Sequence, residues 1–407
     1  VELQQAVILS VFAAVLILSA LKFVHPAAVA LAAALGLAVW LGPSPVLAGI
    51  RADVLLTAAG VMVLAGFFKR SGLTSWLALS AAKNAHGRPR GILVRLAALS
   101  FIAGALFGPA AAALVLPVAL LLAVELDISP LPFIVTLTWS ALLGGTAVLT
   151  AQPGNLWVGS ELALDSGAWL TTMFPLAAAA FIVTLLLALI VFHRSFRATN
   201  ERRARVLEYD AVQAIENKPR AVQTVIVLAL IVIGLALQPW IHVEPVVLVL
   251  AGALVLSLLA GPSTVATALG EIDGGSLLWY GAVMSIVGMT ADGVSNAVAS
   301  MGAGWRDPLT LMLASALAGS FLDPGTIAGS LSGVLHASDS AWILVVFGAA
   351  VGGGATLWSS RTTALNTVVR TNGGPGWARV AAWGALFAVV NLLVAAFWLF
   401  ARGLLVR

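Results

Sequence analysis

Apolar residues run along the chain in blocks about as long as a bilayer is thick, and polar residues gather in the short stretches between them. A hydrocarbon core of about 30 Å takes about 20 helical residues to cross. Uninterrupted blocks at 6–24, 26–42, 54–68, 168–192, 221–239, 245–260, 276–290 and 377–402 therefore predict spanning helices. Four further apolar stretches, 96–124, 131–159, 308–336 and 341–369, are interrupted by Gly, Pro or polar residues. The first block spans fully and lacks a convincing cleavage site, so it reads as a helix rather than a signal peptide.

Two polar stretches carry most of the positive charge. One holds Lys69, Arg70, Lys83, Arg88, Arg90 and Arg95; the other holds Arg194, Arg197, Arg202, Arg203, Arg205, Lys218 and Arg220. The positive-inside rule puts loops 69–95 and 193–220 in the cytoplasm. Between them 131–159 and 168–192 cross once each, so 96–124 must enter and leave on one side. Its two arms meet at Gly108-Pro109, which predicts a re-entrant hairpin. Beyond Arg220 the blocks 221–239, 245–260 and 276–290 cross three times and leave 292–307 outside. The stretch 308–336 then becomes a second hairpin, entering from the outside, and 341–369 returns to Arg370 and Arg379. Backbone that turns inside a membrane persists only where protein or a wet cavity satisfies its polar groups.

The two halves present these elements in the same order. VLLTAAGVMVLAGFFKRSGLTSWLA (54–78) resembles SLLWYGAVMSIVGMTADGVSNAVAS (276–300), and AGALFGPAAAALVLPV (103–118) resembles AGSFLDPGTIAGSLSG (318–333), with Pro109 opposite Pro324. GGTAVLTAQPGN (144–155) resembles GGATLWSSRTTALN (353–366). The expected organisation is a first repeat over 1–192, a basic linker over 193–220 and a second repeat over 221–407. The first copy of the leading span runs inward and the second outward, so the repeat is inverted. Inverted repeats with broken helices near the midplane mark secondary transporters.

Composition narrows the class further. Of 407 residues, 61% are hydrophobic and 9% charged, with no cysteine. A soluble domain carries about 25% charged residues, so the chain is an all-α polytopic membrane protein. Without cysteine there are no thiolate metal sites, cysteine nucleophiles or disulfides. The basic residues sit in short loops between apolar blocks, which speaks for topology and against nucleic-acid binding. No P-loop, HExxH or GxSxG pattern occurs, so neither catalysis nor a cofactor is expected. His86, His193, His242 and His336 are scattered, so no metal site is expected either. The tryptophans, among them Trp139, Trp157, Trp240, Trp279 and Trp358, are expected mostly as interfacial anchors.

Rare charges inside apolar stretches mark candidate chemistry. Arg361 lies deep in a predicted span, where a charge costs at least about 2.5–3.5 kcal/mol and must face a cavity or a partner. It reads as an anion-binding guanidinium or as a structural partner of Asp323. Asp323, in Asp-Pro-Gly-Thr, reads as a cap for the second hairpin arm or as a carrier of a transported proton. Asp292 reads as an interfacial residue. Gln152, Asn155, Ser359, Thr362 and Asn366 offer neutral donors and acceptors at the two helix breaks.

The basic loop, the hairpin, Leu116-Pro117 and SALLGGTAVLTAQPGNLWVGS (140–160) together resemble the ion transporter superfamily, in its arsenite permease, P protein and NhaD-like branch. The resemblance implies two hairpin tips and two broken helices around a central site. One tip falls on Gly108, Pro109 and Ala110, the other on Asp323, Pro324, Gly325 and Thr326. The breaks fall on Thr146, Thr150, Gln152, Pro153, Gly154 and Asn155, and on Ser359, Ser360, Arg361, Thr362, Thr363 and Asn366. The first tip is a bare Gly-Pro-Ala-Ala, and the family's Pro-Pro-Asn break is replaced by Gln-Pro-Gly-Asn. Both departures weigh against sodium coupling and a familiar dicarboxylate site. The resemblance implies a proton-coupled, alternating-access carrier of a small inorganic solute or anion, with an arsenite-type oxyacid favoured. A sodium/proton antiporter and a carboxylate/sodium symporter are the alternatives within transport; a channel is the alternative outside it. Coupling to H⁺ or Na⁺, an elevator-like motion in a homodimer and a bacterial inner-membrane location are further expectations. A separate ATPase subunit stays open.

Overall fold

The computed structural model describes residues 2–21, 24–215, 217–300, 307–331, 341–355 and 377–401, and all regular structure among them is helical. Helices α1 (Glu2–Leu21) and α2 (Pro26–Leu41) pack on each other, and a short α3 (Pro43–Ala48) leads into α4 (Ala52–Arg70). After α5 (Leu73–Asn84), α6 (Pro89–Phe107) meets α7 (Ala112–Glu125) through a 3-10 turn at Pro109–Ala111. Helix α8 (Leu131–Ala147) stops at a second such turn, Leu149–Ala151, and α9 (Pro153–Glu161) continues beyond it. Then follow α10 (Ser166–Val191), the polar α11 (Asn200–Glu208), α12 (Lys218–Ile241), α13 (Pro245–Leu259), α14 (Pro262–Leu269) and α15 (Gly274–Ser300). The chain closes with α16 (Pro308–Gly319), α17 (Pro324–Leu331), α18 (Ala341–Ala355) and α19 (Trp377–Ala401).

Side chains that satisfy orphan backbone groups mark several starts. Asp165, Asn217 and Asp307 accept from the amides of Ala168 (2.7 Å), Arg220 (3.1 Å) and Thr310 (3.0 Å). Each covers a donor with no partner inside its helix. Prolines at the first positions of α2, α6, α13 and α16 forgo only a hydrogen bond that the helix could not make there.

Among the described residues, six helices are long and apolar enough to cross a membrane: Leu3–Leu21, Ala52–Arg70, Pro89–Phe107, Ser166–Val191, Lys218–Ile241 and Ala378–Ala401. One further pair, Pro262–Leu269 with Gly274–Met289, is bent by 46°. Two details depart from the expected pattern. The span expected at 276–290 is the second limb of this bent pair, because Asp273 caps a new helix by accepting from the Ser276 amide at 3.1 Å. The first arm of 96–124 starts earlier than expected: Pro89 begins a 19-residue helix that takes in Arg90 and Arg95. Long arginine stems at an interface keep their charged heads in water while the backbone stays helical.

Burial identifies the centre. Helix α8 is buried from Pro132 to Ala147 and α18 from Ala341 to Gly354. The outer helices turn apolar side chains outward, with Ile190 69%, Leu258 76% and Phe397 71% exposed. Such a surface suits lipid and no aqueous solvent. Helix α6 lies along α8, and α16 along α18. A Cβ on Gly104 would overlap the Ala141 carbonyl oxygen, and one on Gly144 the Phe101 carbonyl oxygen. At the other pair, Gly319 meets Ala349 and Gly352 meets Ala316 in the same way. Beside them Gly145 abuts Pro109, and Gly353 abuts Pro324. Gly144-Gly145 in one crossing and Gly352-Gly353 in the other thus make contacts of the same kind.

Polar ties separate two ends. At one, Lys69 pairs with Glu271 at 2.6 Å, Arg202 with Asp127 at 3.7 Å, and Arg70 donates to the Thr267 hydroxyl at 2.6 Å. Tyr209 donates to Glu125 there at 2.9 Å, and this bond raises the phenol pKa. At the other, Arg51 pairs with Glu161 at 3.4 Å, and the Ser166 amide donates to Gln238 at 2.9 Å. Helix α5 touches α6 and α7, and α11 touches α5 and α7, so the two basic stretches share an end.

Candidate functional site

The break in α8 needs an account of its backbone groups, since it lies among buried residues. Val148 and Gln152 are extended on either side of the 3-10 turn, and Pro153 starts α9 without needing a donor. The Asn155 side-chain amide donates to the carbonyls of Gly145 and Val148, both at 2.9 Å. Trp169 donates to the Thr146 carbonyl at 3.2 Å, while the Thr146 hydroxyl folds back to Leu143 at 2.7 Å. Asn155 and Thr146 are thus engaged with the broken backbone. Replacing Asn155 with Leu should strip the buried Gly145 carbonyl of this donor, at about 1–3 kcal/mol, while the part-buried Val148 carbonyl keeps the Ala151 amide at 3.3 Å. A marked fall in unfolding temperature checks this; an unchanged one would remove Asn155 from the structural role.

Gly108 turns the α6–α7 connection with φ +79°, a left-handed value that glycine adopts freely. It seats against Ala151, and its neighbour in space, Gln152, is 3% exposed. Gln152 also lies against Gly145, so Gly108, Pro109, Gly145 and Gln152 form one close group.

The second group centres on Asp323, 6% exposed ahead of α17. Its Oδ2 accepts from the Tyr280 hydroxyl at 2.5 Å, the Thr326 amide at 3.0 Å and the Thr326 hydroxyl at 3.3 Å. Trp279 donates to the Thr326 hydroxyl at 2.8 Å. A buried carboxylate is tolerated when several donors converge on it, and here one of them is the orphan amide of a helix start. Tyr280 and Trp279 were not among the expected site residues. Tyr280 is one of only two tyrosines in the chain, and its place inside an apolar block was the available signal.

The two groups join where α9 and α17 begin. A Cβ on Gly154 would overlap the Gly325 backbone, and one on Gly329 the Trp157 ring. The positive ends of two short helices therefore lie side by side. Ser359, Arg361, Thr362 and Asn366, with Trp358, lie outside the described residues. The expectation that tryptophans mostly anchor at interfaces is corrected for Trp139, Trp157 and Trp279, which are 1%, 3% and 6% exposed; Trp240, 73% exposed, keeps it. Indoles that fill the space beside glycine-rich backbone are held inside by packing. Among the described residues, no three metal-ligating side chains converge.

The sequence profile of the CitMHS family, described as citrate transporter, matches residues 13–341. The chain belongs to the CitMHS citrate transporter family. This CitMHS chain is 26% identical over 389 residues to an uncharacterised transporter of Mycobacterium tuberculosis and to one of Mycobacterium bovis, each match covering 87% of both chains. It is 22% identical over 378 residues to a 46 kDa membrane protein of Mycobacterium leprae, again over 87% of both. Its fold is similar to the crystal structure of the Alcanivorax borkumensis YdaH transporter, with TM-score 0.60 and 16% identity over 90% of this chain and 89% of that one.

Family membership overturns the assignment to the arsenite permease, P protein and NhaD-like branch, and with it the arsenite-type oxyacid. The reason is physical. Gly108-Pro109, Gly144-Gly145 and Asn155 serve turns, close helix contacts and freed carbonyls, so they report architecture and leave the solute unspecified. The CitMHS chain is a secondary transporter that moves a small solute across the membrane, and its work is transport rather than catalysis. Its helices and its bacterial relatives make it a protein of the bacterial inner membrane.

Proposed function

We propose that this CitMHS protein carries citrate or a closely related carboxylate across the inner membrane by alternating access, coupled to protons or another cation. The observation that carries the reading is the family match over residues 13–341. The geometry supports it in two ways. An anionic carboxylate is favoured near the paired positive ends of α9 and α17. The Asp323 carboxylate, beside Tyr280 and Thr326, supplies the negative charge that a coupling proton or cation requires. Gln152, Thr326 and the tips at Gly108-Pro109 and Pro324-Gly325 border this region. Ser359, Arg361, Thr362 and Asn366 complete the site in this reading.

An inverted repeat is part of the same proposal. Its support is the matched pair of crossings, Gly104 and Gly144 in one and Gly319 and Gly352 in the other, each closed by a proline against a glycine. Helix α4 ends at the basic end of the molecule, where Lys69 meets Glu271, and α15 starts close beside Glu271, as oppositely directed copies require.

Uptake of radiolabelled citrate into proteoliposomes tests the reading. An inward proton or cation gradient should concentrate citrate, and collapsing the gradient should reduce uptake to equilibration. Citrate that is neither bound nor transported, with another solute class carried in its place, would overturn the proposal.

A further inference from the structure

The basic end holds a feature that shares no residue with the solute site proposed above. A cleft of about 630 Å³ opens between the α5–α6 turn and α11, lined by Asn84, His86, Arg88, Arg90, Arg95 and Arg203. Among the described residues, no Asp or Glu lines it, and none of its four arginines is ion-paired. Of the carboxylates at this end, Asp127 pairs with Arg202 and Glu125 accepts from the Tyr209 hydroxyl, while Glu201 and Glu208 share α11 with Arg203 but do not line the cleft. The Arg203 Nε is buried with no hydrogen-bond partner among the described residues. The positive-inside rule accounts for arginines at this end. It does not account for four of them converging on one cavity without a counter-charge, an arrangement that their mutual repulsion opposes.

The local backbone adds to the positive potential. Helix α6, 19 residues long, begins here, and its cap residue Arg88 makes no side-chain cap hydrogen bond. The turn that leads into it is held against α11, since a Cβ on Gly87 would crowd the Arg203 backbone. Gly91 forms part of the wall, and a side chain there would press on Ala85 and the Arg95 guanidinium. The cavity is thus kept open by small residues and walled by planar donors that grip oxyanions bidentately.

We propose that this cleft is a binding site for a phosphate-bearing anion, separate from the transport pathway. It lies where a spanning helix starts on the cytoplasmic side, a level at which phosphate is the prevailing anion and basic pockets hold anionic headgroups. The phosphate comes either from an anionic lipid or from a soluble phosphate compound, and the test separates the two.

Purified full-length protein, stripped of lipid, is titrated with phosphatidylglycerol in mixed micelles and, separately, with sodium pyrophosphate, and thermal unfolding reports binding. At least one probe should stabilise the wild type. The double variant Arg88→Gln/Arg203→Gln should bind it about tenfold more weakly. Arg194→Gln/Arg197→Gln removes the same charge from the same end but outside the cleft, and should stay within about twofold. Response to the micelles alone assigns the site to a lipid headgroup; response to pyrophosphate assigns it to a soluble phosphate. If the double variant fails to fold, Arg90→Gln, at an exposed position, carries the test with an expected loss of about threefold. Binding of neither probe, equal loss in the two double variants, or an unaltered Arg90→Gln would overturn the proposal.

Discussion

Replacing Asp323 with Asn should reduce gradient-driven uptake by about 100-fold, equivalent to about 2.8 kcal/mol, while the protein still folds. Asn has the shape of Asp and keeps an oxygen that can accept from Tyr280 and from the Thr326 amide, so the cap on α17 survives. What disappears is the charge, and with it the means of binding a proton or cation in step with the solute. Removing one partner of a buried charge pair costs about 3–5 kcal/mol, which covers a loss of this size. Tyr280→Phe removes one donor and leaves the carboxylate, so its effect should be several-fold smaller. Uptake measured against a series of imposed pH and cation gradients decides the matter. If Asp323→Asn retains normal rates with unchanged gradient dependence, Asp323 is a structural cap and coupling lies elsewhere.

Gly104→Val and Gly319→Val should each leave little folded protein. At both positions the first side-chain carbon would overlap a backbone carbonyl of the facing helix, Ala141 in one case and Ala349 in the other. Overpacking a core costs about 1–3 kcal/mol when side chains can yield. Here the obstacle is backbone on each side, so the helices must separate and the cost rises above that range. Gly36→Val is the matched control, because a Cβ there meets nothing within 4 Å and the residue is exposed. Fluorescence-detected size-exclusion profiles and unfolding temperatures measure all three. Similar damage from the two core variants is the outcome that equivalent crossings demand. Tolerance of Gly319→Val beside failure of Gly104→Val would break the equivalence.

Span positions were legible because a bilayer imposes a length and a polarity on every helix that crosses it. Blocks such as 168–192 and 221–239 needed no tertiary information, and α10 and α12 lie on them. The break before Asn155 was also legible, since Gln-Pro-Gly-Asn cannot continue a helix unaided. The bend ahead of α15 was not, because Pro262–Leu269 is a short helix in what read as a connection between blocks, and Asp273 caps the next helix by reaching the Ser276 amide. The partners of Asp323 were invisible for a different reason. Tyr280 lies 43 positions away and reaches it only through the packing of α15 against α17. Solute class was the least legible property. Glycines and prolines that shape a hairpin are indifferent to what passes beside it, so they led to the wrong branch.

The junction of Gly154 with Gly325 has a mechanical consequence. With backbone on backbone and no side chain between, the starts of α9 and α17 share one joint although 171 positions separate them in the chain. Prying them apart would open a void that neither strand of chain can fill. If the carrier alternates as proposed, the two short helices should therefore move as a single part, with the solute beside that joint and not through it.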